Sequence, residues 1–193
     1  ASIAATKMNV LYIGVKNPIS VGVPGVEPSA VRVSISGGGG RIAKSGRNYE
    51  ATVTQTGRAT IRVSAEIDGS MKSVGNQEYK VRKLPTPIAK WGTIGSGLPT
   101  PKQALLAQSH VRASMGQGFA FDGIKYRVTS YQFIYAPKRG EARLIRGNGA
   151  AITGGMKGVI QRARKGDRII VDKIRATGPG GNRTLLPMMI EIR

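Results

Sequence analysis

No cysteine occurs anywhere in the 193 residues, which excludes a disulfide framework and any Cys-based metal or redox site and leaves the redox compartment open. Acid–base machinery is as scarce. His110 is the only histidine, and the aspartates are Asp68, Asp122, Asp167 and Asp172, scattered along the chain. No serine sits in a nucleophile elbow, so His110 has no evident triad to join. Transition metals want clustered nitrogen or sulfur ligands and calcium wants several oxygens in one loop, and neither pattern is present. An enzyme and a bound cofactor are therefore not expected. No apolar run approaches the roughly 20 residues needed to cross a bilayer. The opening "ASIAATKMNV" lacks a signal-peptide pattern and an initiating Met, and it reads as the start of a fragment or mature product whose anchor would lie upstream.

What is abundant is turn chemistry and positive charge. With 27 Gly and 10 Pro but 5% aromatics, turns must be frequent and the elements between them short, which favours an all-β architecture. Hydrophobic content of 40% still permits a real core. The net charge of +20 draws the chain to polyanions. Nucleic acid, anionic lipid headgroups, surface polysaccharide and an acidic protein all satisfy that electrostatics equally.

The first 83 residues alternate. "MNVLYIGV", "ISVGVPGV", "VRVSIS", "YEATV" and "TIRVSAEI" place apolar residues two apart, as in Val31, Val33, Ile35 and Ile61, Val63, Ala65, so each segment reads as a half-buried strand. Between them "GGGGR", "KSGRN" and "DGS" supply positive-φ turns, with Gly37 to Gly40 expected as a flexible loop. The spacing predicts an immunoglobulin-like β-sandwich over residues 1–83. A Pro-rich linker follows at 84–89, where Pro85 and Pro87 restrict the backbone and are candidates for setting an inter-domain angle. A second β-sandwich, with one or two short helices, is predicted over 90–193. Its helices are "KQALLAQ" and "TGGMKGVIQRARKG", the latter capped by Thr153. Through Lys83 there are 12 basic against 5 acidic residues, net +7; beyond it 18 against 5, net +13, so the second domain carries most of the excess.

"GPGGNR", Gly178 to Arg183, looks at first like a phosphate cradle. Such a loop must lead into a helix N-terminus, and here "TLLPMMIEI" follows, which contains Pro187 and alternates as a strand does. A hairpin turn is the expected structure. In "KYRVTSYQFIYAPKR" the residues Tyr131, Phe133 and Tyr135 share one parity and Tyr126 the other. That row could be an exposed base-stacking platform, but a core face is favoured because few aromatics must serve two cores. The run "QRARKGDR" offers Arg162, Arg164, Lys165 and Arg168 as an anionic docking patch, with Arg183 at the "GPGGNR" turn as a further contact; a solvated helix end is the commoner meaning of such a run.

Several stretches together resemble the C-terminal half of the GldM/PorM family of the type IX secretion and gliding machinery of Bacteroidetes, closest to its PorM branch. They are "VKNPISVGVPGV", "YKVRKLPTPIAKWG", "FAFDGIKYRVTSYQF" and "KGDRIIVDKIRATGPGGNRTLLPMMIEI", and the resemblance covers nearly the whole chain. It implies the last two periplasmic domains of an elongated homodimer, anchored in the inner membrane by an N-terminal transmembrane helix absent from this chain. It further implies a GldL/PorL-type inner-membrane partner forming a proton-driven motor, and a GldK/PorK and GldN/PorN ring beneath the outer membrane. The fragment would be a non-enzymatic scaffold and energy-transducing segment, with neither nucleic acid nor a small-molecule substrate as partner. The competing expectation is a nucleic-acid or polyanion-binding β module, motivated by the charge.

Overall fold

The computed structural model describes the backbone of residues 2–5 and residues 9–116, 119 and 124–193 in full. Met8 of the first alternating segment, and most of "FAFDG" with Asp122, lie outside the described residues. The chain is β-rich and divides into two compact units, Ala1–Leu84 and Pro85–Arg193.

The first unit is a β-sandwich. One sheet has the order β1 (Ser2–Ala5), β3 (Asn17–Gly22), β6 (Asn48–Thr52), β5 (Arg41–Ser45); the other has β2 (Val10–Tyr12), β8 (Ser70–Arg82), β7 (Gly57–Ile67), β4 (Val31–Gly37). Alternation does what the sequence promises: Ile61, Val63 and Ala65 of β7 are buried, with polar residues between them facing out. Leu11, Ile61 and Tyr79 from one sheet meet Ile19, Tyr49 and Ala51 from the other in one core. Asn17 locks the two sheets together. Its Oδ1 accepts the Tyr12 N–H at 2.8 Å, and its Nδ2 donates to the carbonyls of Tyr12 and Ala51, both at 3.0 Å. β7 turns into β8 through Asp68 and Gly69, both at positive φ as a two-residue hairpin requires.

The tetraglycine differs from expectation. Rather than a loose loop it is a packed turn, in which the Gly38 carbonyl accepts the N–H groups of Thr54 and Gln55, each at 3.0 Å. A Cβ on Gly37 would lie 2.6 Å from the Arg58 carbonyl oxygen, and Gly37, Gly38 and Gly39 all have positive φ.

Leu84, the last residue of the first unit, is buried, and in the second unit Pro87 is buried and β9 (Ile88–Trp91) begins directly after it. β9 pairs with β10 (Val111–Ser114). The main sheet runs β12 (Arg143–Asn148), β11 (Arg127–Ala136), β13 (Arg168–Gly178), and then β14 (Gly181–Thr184) and β15 (Met188–Glu191), which pair with successive stretches of β13. The helices α1 (Lys102–Leu106) and α2 (Gly154–Arg162) contribute Leu105, Met156, Val159 and Ile160 to the same core as Trp91, Tyr131, Phe133 and Val171. Trp91 stacks at a tilt on Phe133, centroids 5.7 Å apart, and its indole N–H donates to the Leu105 carbonyl at 3.0 Å.

A β-bulge resolves the parity of the aromatics. Tyr131 and Phe133 are core residues, as favoured, but Tyr126 and Val128 join the same core despite their opposite parity. The register between β11 and β13 slips at Val128/Ser130 and Ser130/Gln132, which turns the strand over between the two pairs. β13 answers with its own slip: Ile169 and Val171, then Ile174 and Ala176, are buried, and between them Lys173 adopts φ +46°.

Candidate docking surface

The basic run predicted from sequence folds into a corner organised by one acid. Thr153 caps α2, its hydroxyl accepting the Met156 N–H at 3.4 Å, and the helix buries Met156, Val159 and Ile160. Arg162 is in its last turn, where a cation complements the helix dipole. The chain then makes a tight turn in which the Asp167 N–H donates to the Arg164 carbonyl at 3.0 Å, with Gly166 at φ +85° as its third residue. Lys165 is left exposed on the turn.

Asp167 is 4% exposed, and it holds this geometry. Its Oδ2 accepts the Tyr135 hydroxyl at 2.5 Å and the Arg164 N–H at 2.7 Å, while Oδ1 accepts the Lys138 N–H at 3.0 Å. Burial alone would raise the carboxyl, but these hydrogen bonds and the charge of Arg164 outweigh it, leaving it below the usual carboxylate range. Burial, and then the carboxylate beside it, push the Tyr135 hydroxyl up to about 12. The buried carboxylate thus aligns the backbone of the turn, and the side chains of the basic run face outward.

Arg162, Arg164, Lys165 and Arg168 are all exposed. Arg168 opens β13 with its Nε 3.9 Å from a Glu191 carboxylate oxygen, a loose surface pair. Sequence reasoning missed Lys138 and Lys102. Lys138 joins Gly166, Arg168 and Glu191 around a hollow of about 290 Å³, and the Lys102 ammonium donates to the Gln161 carbonyl at 3.0 Å, beside the end of α2. No local pattern places either lysine there, because each arrives from a distant stretch of chain.

Arg183 is not part of this corner. It sits on β14 opposite Ala176, eight positions along β13 from Arg168, about 25 Å at ~3.3 Å per residue. The "GPGGNR" stretch is the expected hairpin: Gly178 pairs with Gly181 across Pro179 and Gly180, and the Tyr126 hydroxyl donates to the Pro179 carbonyl at 2.5 Å. His110 is exposed, with its Nδ1 2.8 Å from the Ser109 hydroxyl. It lines a cleft of about 960 Å³ together with Lys90, Arg112, Lys125 and Arg127, and no carboxylate is among the described lining residues.

Sequence models of two domains match the chain end to end: the GldM third domain over residues 1–82 and the GldM C-terminal domain over residues 85–193. The chain belongs to the GldM family. Membership makes it a component of the gliding and type IX secretion machinery, whose GldM proteins carry periplasmic domains on an inner-membrane anchor. No helix among the described residues of this GldM chain is long and apolar enough to cross a membrane. No curated protein matches it. Among solved structures it is similar to the fibronectin(III)-like modules of Clostridium thermocellum CbhA, at 15% identity over 99% of this chain and 93% of that one, with a TM-score of 0.34. It is also similar to the SGBP-B protein of the Bacteroides ovatus mixed-linkage glucan utilization locus, solved with a mixed-linkage heptasaccharide. There the identity is 14% over 94% of this chain and 50% of that one, with a TM-score of 0.25. Likeness at that level carries nothing about the function of this GldM chain.

Proposed function

We propose that this chain is the output end of a GldM-type motor, a non-enzymatic periplasmic scaffold that transmits conformational change to a ring under the outer membrane. The observation that carries the reading is the match of consecutive GldM domains over the whole chain, joined to an exposed basic corner held rigid by Asp167. Transmission needs stiffness and a docking surface. Two packed cores and a turn fixed by three hydrogen bonds to one buried carboxylate suit that need. In this reading the parent protein is a homodimer held in the inner membrane by an N-terminal transmembrane helix. It couples there to a GldL/PorL-type partner and docks GldK/PorK and GldN/PorN ring proteins through Arg162, Arg164, Lys165 and Arg168, with Arg183 as a separate contact.

A pull-down of purified ring proteins, run beside an electrophoretic shift with duplex DNA, tests it. Ring capture without a DNA shift is expected; salt-sensitive DNA binding with no ring capture supports a polyanion-binding module instead. Pro85 and Pro87 are proposed to narrow the angular range between the units, since each fixes its own φ and restricts its predecessor. Replacing both with Gly should broaden that range in solution scattering, and an unchanged profile removes them from the role.

A further inference from the structure

The face of the main sheet of the second unit turned away from its core carries an apolar band that lies outside the buried core of the described residues. Register lines up one residue from each of four strands: Leu144 of β12 opposite Ile134 of β11, Ile134 opposite Ile170 of β13, and Ile170 opposite Met189 of β15. Their neighbours along the strands, Phe133, Ile169, Val171, Met188 and Ile190, are the ones that point into the core, so this row points out. Leu144 is 51% and Met189 44% exposed, and Ile134 and Ile170 are half-buried between them. The segment that hydrogen-bonds to the outer edge of β15 carries Leu98, 74% exposed, between Gly97 and Thr100. Two of the five large exposed apolar side chains of the described unit, Leu144 and Met189, thus end one row of four apolar residues. Solvent-facing rows of a one-sided sheet are normally polar, and a contiguous apolar row marks an interaction surface.

The rim selects the partner. On the same face stand Arg146, Arg168, Lys173 and Arg175, against Asp172 and Glu191, and Glu191 already leans toward Arg168. A second copy would bring two rims of four cations and two acids together, net +2 against net +2, and the unit's net charge of +13, from 18 basic and 5 acidic residues, adds to that repulsion. A lipid surface wants side chains that plunge several ångströms below the headgroups, and a row lying flush on a sheet does not. A face about four strand spacings wide and about 30 Å long offers roughly 600 Å², close to one side of an ordinary protein–protein interface.

The geometry points to this outer sheet face, Leu144–Ile134–Ile170–Met189 with its Arg and Lys rim, as the docking site for a partner protein whose own surface is apolar at the centre and ringed by carboxylates. The inference rests on the scaffold reading and extends its basic corner, since Arg168 belongs to both. The band supplies the desolvated centre, and the rim steers the encounter and fixes register.

The test uses the full-length protein in its native cells, with a photo-crosslinking amino acid at Leu144 or at Met189, and at Lys157 on α2 as a control. Crosslinks from the first two positions, not the third, to another protein at an apolar segment flanked by Asp or Glu are expected. The same two residues changed together, Leu144→Asp and Met189→Asp, should lower the affinity of the purified fragment for that protein about tenfold, with its melting transition in place. Crosslinks only to a second copy of the chain, pelleting with phosphatidylglycerol vesicles that the double variant abolishes, or no crosslink at all would overturn the proposal. Ring capture that the double variant leaves intact, with no crosslink from the band, defeats this inference and spares the scaffold reading. Crosslinking to an acid-flanked segment of a protein outside the ring, with no ring capture, does the reverse.

Discussion

The Tyr135 hydroxyl donates to the Asp167 carboxylate at 2.5 Å, and through that bond the last core-facing side chain of β11 fixes the turn that presents Arg164 and Lys165. Removing the carboxylate leaves the hydroxyl and two backbone N–H groups without an acceptor. Asp167→Ala should therefore destabilise the second unit by about 3 kcal/mol, and Tyr135→Phe by about 1 kcal/mol, in urea unfolding. Equal effects from the two changes would show that the backbone bonds contribute nothing.

The same carboxylate sets an acid limit. Because its folded pKa lies below the ordinary value, its contribution is complete above the usual carboxylate range and is lost as pH falls through the folded value. Tyr135 sets the alkaline counterpart. Its hydroxyl, raised to about 12, favours the fold fully below the ordinary tyrosine value near 10, and that contribution is lost as pH rises toward 12. Melting curves across pH 2 to 12 should show both declines, and Asp167→Asn should flatten the acid one.

Asn17 offers a test of the first unit. Its amide meets partners on β2 and β6 from the start of β3, and it is 1% exposed. Asn17→Ala removes the amide's bonds to Tyr12 and Ala51 from a buried position between the sheets, and a loss of about 3 kcal/mol is expected. Asn17→Asp, which keeps the acceptor and loses the donor, should also destabilise.

Gly178 is held by contact. A Cβ there would lie 2.6 Å from the Tyr126 ring and 2.8 Å from the Lys125 carbonyl oxygen. Gly178→Ala should cost about 2 kcal/mol by forcing Tyr126 off the Pro179 carbonyl. Wild-type stability in this variant would mean that the ring moves freely.

How much of this the sequence shows depends on the range of the cause. Strands such as β7 and hairpins such as Asp68–Gly69 follow from patterns a few residues long, and they are where alternation and turn chemistry place them. Charge in the Arg162–Arg168 run is equally visible. The bulge that brings Tyr126 and Val128 to the face of Tyr131 is not, because strict alternation has no term for one extra residue. The packed tetraglycine and the role of Asp167 are hidden for another reason: Thr54, Arg58, Tyr135 and Lys138 reach them across the fold. The outer apolar band is the extreme case, since it exists only once four strands are in register.

The central claim is that the basic corner docks the ring. The direct measurement is the affinity of purified ring proteins for the fragment carrying Arg162→Glu, Arg164→Glu and Lys165→Glu together, beside wild type, at two salt concentrations. These side chains are exposed, so the fold should be kept; binding should weaken at least tenfold, and the salt dependence of what remains should flatten. Unchanged affinity in a folded triple variant would contradict the account.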